Sequence, residues 1–121
     1  MVRAEPTHMA TGPCAALLER VGGDQQIFIE LCDVFLDDAP KRLDIMREAL
    51  AAADAPVLQR EAHAFKGAAA AFDAEHVVMI ARQLEQLAAT GDLRDAPRVL
   101  AVLDCHSRLL IAAVRAGKAH G

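Results

Sequence analysis

Residues 54–74 read D-A-P-V-L-Q-R-E-A-H-A-F-K-G-A-A-A-A-F-D-A, and this stretch decides the fold. On a helix with about 100° between successive residues, five of its apolar side chains recur at spacings of four, three, four and three, which is the pattern of a buried stripe. The stripe consists of Leu58, Ala62, Phe65, Ala69 and Phe72. His63 falls about 160° from Phe65, close to the opposite side of the helix. The stretch therefore predicts one amphipathic helix with an exposed histidine.

The residues that follow His63 define the surface around it. Lys66 and Gly67 come three and four residues later, within reach across one helical turn. Glycine inside a helix costs about 1 kcal/mol relative to alanine, and the apolar stripe continues past Gly67, so the helix is not expected to end there. Gly67 and Ala70 leave a low surface beside the imidazole. This surface suits a histidine that enters another protein's active site.

The run from His63 to Ala69, H-A-F-K-G-A-A, resembles the His-x-(Leu/Phe)-Lys-Gly-(Ser/Ala)-(Ser/Ala) motif of histidine-containing phosphotransfer (HPt) domains. The resemblance extends from Pro13 to the last predicted helix. It includes an apolar-Phe-acidic run before Pro40, an Arg-Glu-Ala-Leu-Ala stretch, and Leu84-Glu85. The chain departs from the family at Asp73, where glycine is usual. Aspartate tolerates a left-handed backbone or caps a following helix, so we expect the fold to be kept.

The resemblance implies that His63 is the phospho-accepting residue. Lys66 would then lie beside the phosphoryl group and neutralise its charge, and Gly67, with Ala70, would leave room for the partner protein. An imidazole is a good nucleophile near pH 7, because the ordinary pKa of histidine is about 6.5. Lysine provides a mobile point charge for the negative group.

Glu85 and Arg60 are weaker candidates for the same site. A polar residue at the place of Glu85 can hydrogen-bond the imidazole in this family and fix its tautomer, although a carboxylate also repels a phosphoryl group. Gln83 or Gln86 takes this role if the register of the helices differs. Arg60 lies one turn before His63 and adds positive potential for an acidic receiver pocket. Glu85 is equally well interpreted as a plain surface charge, and for Arg60 a solvated surface arginine is the favoured interpretation.

By the same resemblance the chain is a phospho-carrier and not an enzyme. It would accept a phosphoryl group from a receiver-domain aspartate and pass it to another in a multistep phosphorelay. Its partners would be response-regulator receiver domains and a hybrid sensor histidine kinase. The chain would need no cofactor, since the receiver is expected to supply Mg²⁺. Two alternatives stay open: a docking or dimerisation module in which His63 is incidental, and the phosphotransfer domain of a chemotaxis-type kinase.

Composition narrows the classes of function. The chain has 121 residues, which favours a single domain, and a net charge of −4, which argues against a nucleic-acid partner. No apolar run approaches the 18 to 20 residues of a membrane span, and no signal-peptide pattern is present. Three widely spaced cysteines indicate reduced core thiols in a cytoplasmic protein. The family resemblance implies a monomer. Neither a clustered metal-ligand motif nor a P-loop occurs, so no metal site is predicted.

The helical pattern predicts an all-α fold, an up-down-up-down four-helix bundle with a short N-terminal capping helix. We expect residues 1–11 to be a flexible arm and residues 12–121 to form an HPt-like domain. The expected helices cover residues 13–21, 24–53, 54–72, 74–90 and 96–116, with aspartate caps at Asp24, Asp54 and Asp73.

Several details accompany this prediction. Pro40 should kink or briefly break the second helix, and Gly117 should end the last one. Cys105 should lie in the core. The second helix should turn one apolar face inward, formed by Ile27, Phe28, Leu31, Val34 and Phe35.

Overall fold

The computed structural model describes residues 12–120, and these residues form five α-helices and no strand. In chain order, α1 to α5 span Pro13–Arg20, Gln25–Ala51, Ala55–Ala70, Glu75–Thr90 and Ala96–His120. The all-α prediction is confirmed for this part of the chain. The expected N-terminal arm, residues 1–11, lies outside the described residues.

The four long helices contact one another in a closed ring. Helix α2 packs against α3, α3 against α4 and α4 against α5, while α5 returns to α2; α1 lies on α5 and α2. Large apolar side chains fill the shared interior, each at most 2% exposed: Phe28, Leu43, Phe65, Leu84 and Leu103. The contact between α3 and α4 is the most extensive. This pair of helices holds His63 and Glu85.

Two of the three predicted aspartate caps are present. The Asp24 carboxylate accepts a hydrogen bond from the Ile27 amide at 3.1 Å, and the Asp54 carboxylate accepts one from the Val57 amide at 3.2 Å. Each bond satisfies one of the amides that a helix start leaves without an internal partner. These two caps fix where α2 and α3 begin.

The third predicted cap, at Asp73, is wrong. Helix α4 begins after Ala74, and no side chain caps it. The Asp73 carboxylate accepts a hydrogen bond from Arg20 at the end of α1, so it is turned away from the amides of α4. Asp73 does adopt the left-handed backbone that its place in the turn requires, with a φ of 54°. Aspartate at this position is therefore compatible with the turn.

Helix α2 runs uninterrupted through Pro40, so the expected break is absent. Proline removes one backbone N–H and leaves the carbonyl of Leu36 without its helical partner. Pro40 lies on the exposed side of α2, where solvent can hydrate that carbonyl. Phe35 and Leu43, on either side of the proline, are buried and anchor both halves of the helix in the core.

The inward face of α2 differs from the predicted one. Phe28 and Phe35 are buried as expected, but Ile27, Leu31 and Val34 are 43%, 41% and 57% exposed. The sequence carries two apolar stripes one residue apart, which differ by about 100° around the helix. Only one stripe faces the core, and its remaining members are Cys32, Ala39, Leu43, Met46 and Ala49.

Helix α5 continues past Gly117, where it was predicted to end. The glycine serves a close contact between helices: a Cβ built on Gly117 would lie 2.8 Å from the Cβ of Cys14 on α1 and would overlap its sulfur. The absence of a side chain at this position lets α1 approach α5. The prediction failed because a helix-interior glycine and a terminating glycine look alike in sequence.

The three cysteines lie in different environments. Cys32 is buried, Cys14 is half-buried and Cys105 is exposed, and all three are free thiols. Burial raises the pKa of the Cys32 thiol to about 12. The prediction of a core position for Cys105 is wrong, because it lies two residues, or about 200°, from the buried Leu103.

Candidate functional site

His63 lies in the middle of α3, on the side away from the core. Its side chain is 67% exposed. Four apolar residues of the same helix are fully buried and fix its rotation: Leu58, Ala62, Phe65 and Ala69. The Asp54 cap fixes where the helix starts. The position of His63 therefore follows from the buried stripe on the opposite face.

Glu85 of α4 joins His63 and Lys66 in one network. The Glu85 Oε2 atom lies 2.8 Å from Nδ1 of His63, and Oε1 accepts a hydrogen bond of 2.7 Å from Nζ of Lys66. The side chains of Glu85 and Lys66 are only 19% and 22% exposed. The hydrogen bond from Lys66, and after it the one from His63, hold the pKa of the Glu85 carboxyl below its usual range, against the opposing effect of burial.

This network defines which nitrogen of His63 can react. An ionised carboxylate only accepts hydrogen bonds, so Nδ1 of His63 carries the proton and donates it toward Glu85. In a neutral imidazole the other nitrogen, Nε2, then holds the free electron pair. The arrangement presents Nε2 as a nucleophile on an exposed helix face, with an ammonium group one turn away.

Gly67 and Ala70 leave the surface beside His63 low. Both are exposed, and a Cβ built on Gly67 would meet nothing within 4 Å. Packing inside the chain therefore does not require glycine here, in contrast to Gly117. The open space beside the imidazole faces solvent.

The other predicted site residues are separate from this network. Arg60 is exposed, and within residues 12–120 it makes no ion pair and no side-chain hydrogen bond. Gln83 and Gln86 are exposed on α4, and Glu85 is the residue of the three that reaches His63. The register between α3 and α4 therefore places Glu85, and not Gln83 or Gln86, within hydrogen-bond distance of His63.

Sequence reasoning missed the ion pair that joins α2 to α3 two residues before His63. Arg42 Nη1 donates to Glu61 Oε1 at 2.9 Å, and the Glu61 side chain is only 12% exposed. Glu61 immediately precedes Ala62, which is a member of the buried stripe, and this neighbour is the only sequence signal that Glu61 is buried. The pair ties the helix that carries His63 to its neighbour.

An apolar hollow of about 190 Å³ lies between α2 and α3, beside the site. Leu31 and Val34 contribute the exposed stripe of α2, and Ala64 and Ala68 line it from α3. The apolar character of these residues is evident from the sequence, but their exposure to solvent depends on how α2 is rotated about its axis. The hollow provides an apolar surface next to the nucleophile.

Residues 12–120 contain no group of three or more His, Cys, Asp or Glu side chains placed to hold a metal ion. None of the described helices is both long and apolar enough to cross a membrane.

Comparison with known proteins agrees with the geometry. The family model of the Hpt domain matches residues 30–117, which include His63, Lys66 and Glu85. The chain belongs to the Hpt domain family. This confirms the resemblance found in the sequence, and it makes the chain a histidine-phosphotransfer module of the kind used in phosphorelays.

A solved Hpt structure shares the fold. The crystal structure of histidine-containing phosphotransfer protein B (HptB) from Pseudomonas aeruginosa PAO1 superimposes with a TM-score of 0.81, covering 88% of this chain and 92% of that one. The two sequences are 24% identical over the match, so the likeness concerns the fold. A search of curated proteins found no match.

Proposed function

We propose that this Hpt domain carries a phosphoryl group on Nε2 of His63, accepting it from one receiver-domain aspartate and passing it to another. The observation that carries the proposal is the hydrogen bond of 2.8 Å between Nδ1 of His63 and Glu85, which leaves Nε2 free on an exposed face. Family membership supports a carrier role for the chain, and the geometry supports His63 as the carrier residue.

In the transfer step, the electron pair of His63 Nε2 attacks the phosphorus of an aspartyl phosphate. The N–P bond forms as the P–O bond to the aspartate breaks, and the aspartate carboxylate leaves with the electron pair. The ring gains positive charge, which the Glu85 carboxylate stabilises through the Nδ1–H bond. The reverse sequence passes the group to the next receiver.

Lys66 supplies positive charge where the phosphoryl group would bind. Its Nζ is held by Glu85 at 2.7 Å, one helical turn from His63, and three donor protons let it bond a second acceptor. Phosphoryl transfer depends chiefly on alignment and charge stabilisation, so an exposed nucleophile with one cation is sufficient on this side. We expect the receiver to hold the Mg²⁺ ion, and this chain to need no cofactor of its own.

The apolar hollow between α2 and α3 is the proposed docking surface for the receiver. Leu31 and Val34 are 41% and 57% exposed, and together with Ala64 and Ala68 they place apolar area directly beside the helix that carries His63. Gly67 then leaves space for the receiver's active-site loops to reach the imidazole. A surface of this kind selects a partner by shape and apolar burial.

The finer architecture and setting belong to the same proposal. Short connections join consecutive helices, and each helix from α2 to α5 packs against the next one along the chain. These features support an up-down-up-down bundle of α2 to α5, with α1 as the capping helix. We propose that the chain acts as a monomer in the cytoplasm and that a hybrid sensor histidine kinase feeds the relay.

The proposal is tested by phosphate transfer from a phosphorylated receiver domain of the same cell. The wild-type chain should gain phosphate that is labile in acid and stable in base, whereas His63→Gln should gain none. His76→Gln, which changes another exposed histidine, is the matched control and should be labelled as the wild type is. Failure of every phosphorylated receiver from the cell to label the wild type would overturn the proposal.

A further inference from the structure

Most of the described cations are already paired with an acid. Within residues 12–120, four arginines make no ion pair: Arg60, Arg82, Arg98 and Arg115. Arg98 and Arg115 belong to α5, which packs against α1, α2 and α4. Arg60 and Arg82 belong to α3 and α4, the two helices that build the candidate site. Arg82 was not among the residues predicted from sequence.

Arg82 lines an open groove that shares Ala70 with the low surface beside His63. The groove has a volume of about 320 Å³ and lies between the end of α3 and the first half of α4, with Ala70, Val78, Met79 and Arg82 among its lining residues. Ala70 stands about 10 Å along α3 from His63, at roughly 1.5 Å per residue. Met79 is 63% exposed, and its flexible thioether side chain adapts to different partner surfaces.

Charges along the groove are unevenly distributed. Asp73 is paired with Arg20 at the far end, and Glu75 is the first residue of α4, where its charge offsets the positive end of the helix dipole. Glu75 lies about 10 Å along α4 from Arg82. Arg82 is three residues before Glu85 on the same side of α4, so uncompensated positive charge is concentrated at the end nearest His63.

The site itself has little net charge before it is phosphorylated. The single positive charge of Lys66 is balanced by the single negative charge of Glu85, and the two are in contact at 2.7 Å. Attraction of an acidic partner at longer range therefore depends on cations outside this pair. Arg82 is the unpaired arginine that lines this open groove.

We infer that the groove along α4 is a second contact edge for the phosphorylated receiver, with Arg82 as the cation that attracts its negatively charged active site. The inference rests on the proposed function and adds a partner-contact residue to it. The receiver would bridge α3, with apolar contacts in the hollow on the α2 side and electrostatic contacts with Arg82 on the α4 side. A phosphorylated, acidic protein surface is the ligand chemistry that an unpaired arginine beside an open groove fits.

The test measures transfer from a phosphorylated receiver to the wild type, Arg82→Gln and Arg82→Glu at low and high salt. Charge reversal should lower kcat/KM by about tenfold at low ionic strength, and the loss should shrink near 1 M salt, where screening acts within about 3 Å. Arg82→Gln should give a smaller loss of the same kind. The maximal rate at saturating receiver should not change, because rim charges act mainly on association.

Two controls separate the possible outcomes. Arg115→Glu makes the same change of net charge on α5 and should stay within about twofold of the wild type. Labelling of His63 by a small donor such as phosphoramidate should be equal in all variants, since no docking surface is involved. Equal losses in Arg82→Glu and Arg115→Glu would overturn the inference, as would a matching loss with phosphoramidate. Failure of the wild type to accept phosphate from any receiver would instead remove the proposed function.

Discussion

Glu85 has two carboxylate oxygens, and each one contacts a different side chain of α3. One accepts from Lys66 at 2.7 Å and the other lies 2.8 Å from Nδ1 of His63, so a single residue of α4 orients both the nucleophile and its neighbouring cation. A motif confined to α3 cannot show this, because the contact depends on the register between two helices. The family resemblance offered Glu85 as a candidate partner for the imidazole, with Gln83 and Gln86 as alternatives, and the packing of α3 against α4 brings Glu85 into contact.

Glu85→Gln tests this contact through the pH dependence of stability. The pKa of Glu85 is lowered in the folded state, chiefly by Lys66, so its ionised form stabilises the fold above the unfolded pKa, near 4.3. This contribution is lost as pH falls through the lower folded pKa. We expect the variant to lose about 1 kcal/mol at pH 7 and the difference between the two proteins to shrink as the pH falls below the unfolded pKa, measured by urea unfolding. A difference that does not change with pH would contradict this account.

At the scale of single helices, Gly67 of α3 and Gly117 of α5 are both glycines inside a helix, but their surroundings differ. A Cβ on Gly67 meets nothing within 4 Å, while a Cβ on Gly117 meets Cys14. Helix propensity disfavours both by about 1 kcal/mol. The glycine in α5 is explained by packing inside the chain, whereas packing among the described residues gives no reason for the glycine in α3. The proposed receiver contact supplies one.

Gly67→Ala should therefore stabilise the protein and impair its proposed function. We expect about 1 kcal/mol of added stability in thermal or urea unfolding, because alanine favours the helix and clashes with nothing. Transfer from a phosphorylated receiver should become slower, since the methyl group occupies the space left for the partner. Labelling by phosphoramidate should be unaffected. Wild-type transfer kinetics in this variant would mean that Gly67 provides no room for a receiver.

Gly117→Ala should destabilise the protein through the contact between α1 and α5. The added methyl group overlaps Cys14, whose Cβ would lie 2.8 Å away, and overpacking of this kind costs about 1–3 kcal/mol, against a gain of about 1 kcal/mol in helix propensity. The double variant Cys14→Gly/Gly117→Ala removes both the Cβ and the sulfur that the new methyl group would meet, so it should be more stable than the two single changes predict when added. Simple additivity in this double-mutant cycle would show that the two residues do not conflict.

At the scale of the whole molecule, the sequence predicted the class of fold and missed orientations that depend on neighbours. Five helices and two of three aspartate caps follow from local signals. The exposure of Ile27, Leu31 and Val34 does not, because two adjacent apolar stripes fit the same helix and only the packed fold selects one. The turn of Asp73 toward Arg20 likewise depends on how α1 lies on the bundle.

That missed apolar face of α2 gives the last prediction. Val34 is 57% exposed beside the hollow next to α3, and Leu109 on α5 is 66% exposed on another side of the molecule. Val34→Gln and Leu109→Gln both replace an exposed apolar side chain with an uncharged one that favours helices, so neither should change the free energy of unfolding by more than about 0.5 kcal/mol.

If the receiver docks on α2 and α3, Val34→Gln alone should raise KM for the phosphorylated receiver, by about fivefold to tenfold, because it removes about 1–1.4 kcal/mol of apolar burial from the interface. Apolar contact is not screened by ions, so this loss should persist in high salt, whereas the loss in Arg82→Glu should fade. Comparing the salt dependence of Val34→Gln with that of Arg82→Glu therefore distinguishes the apolar contact on the α2 side from the electrostatic contact on the α4 side. Equal losses for Val34→Gln and Leu109→Gln would mean that the receiver does not use the face of α2.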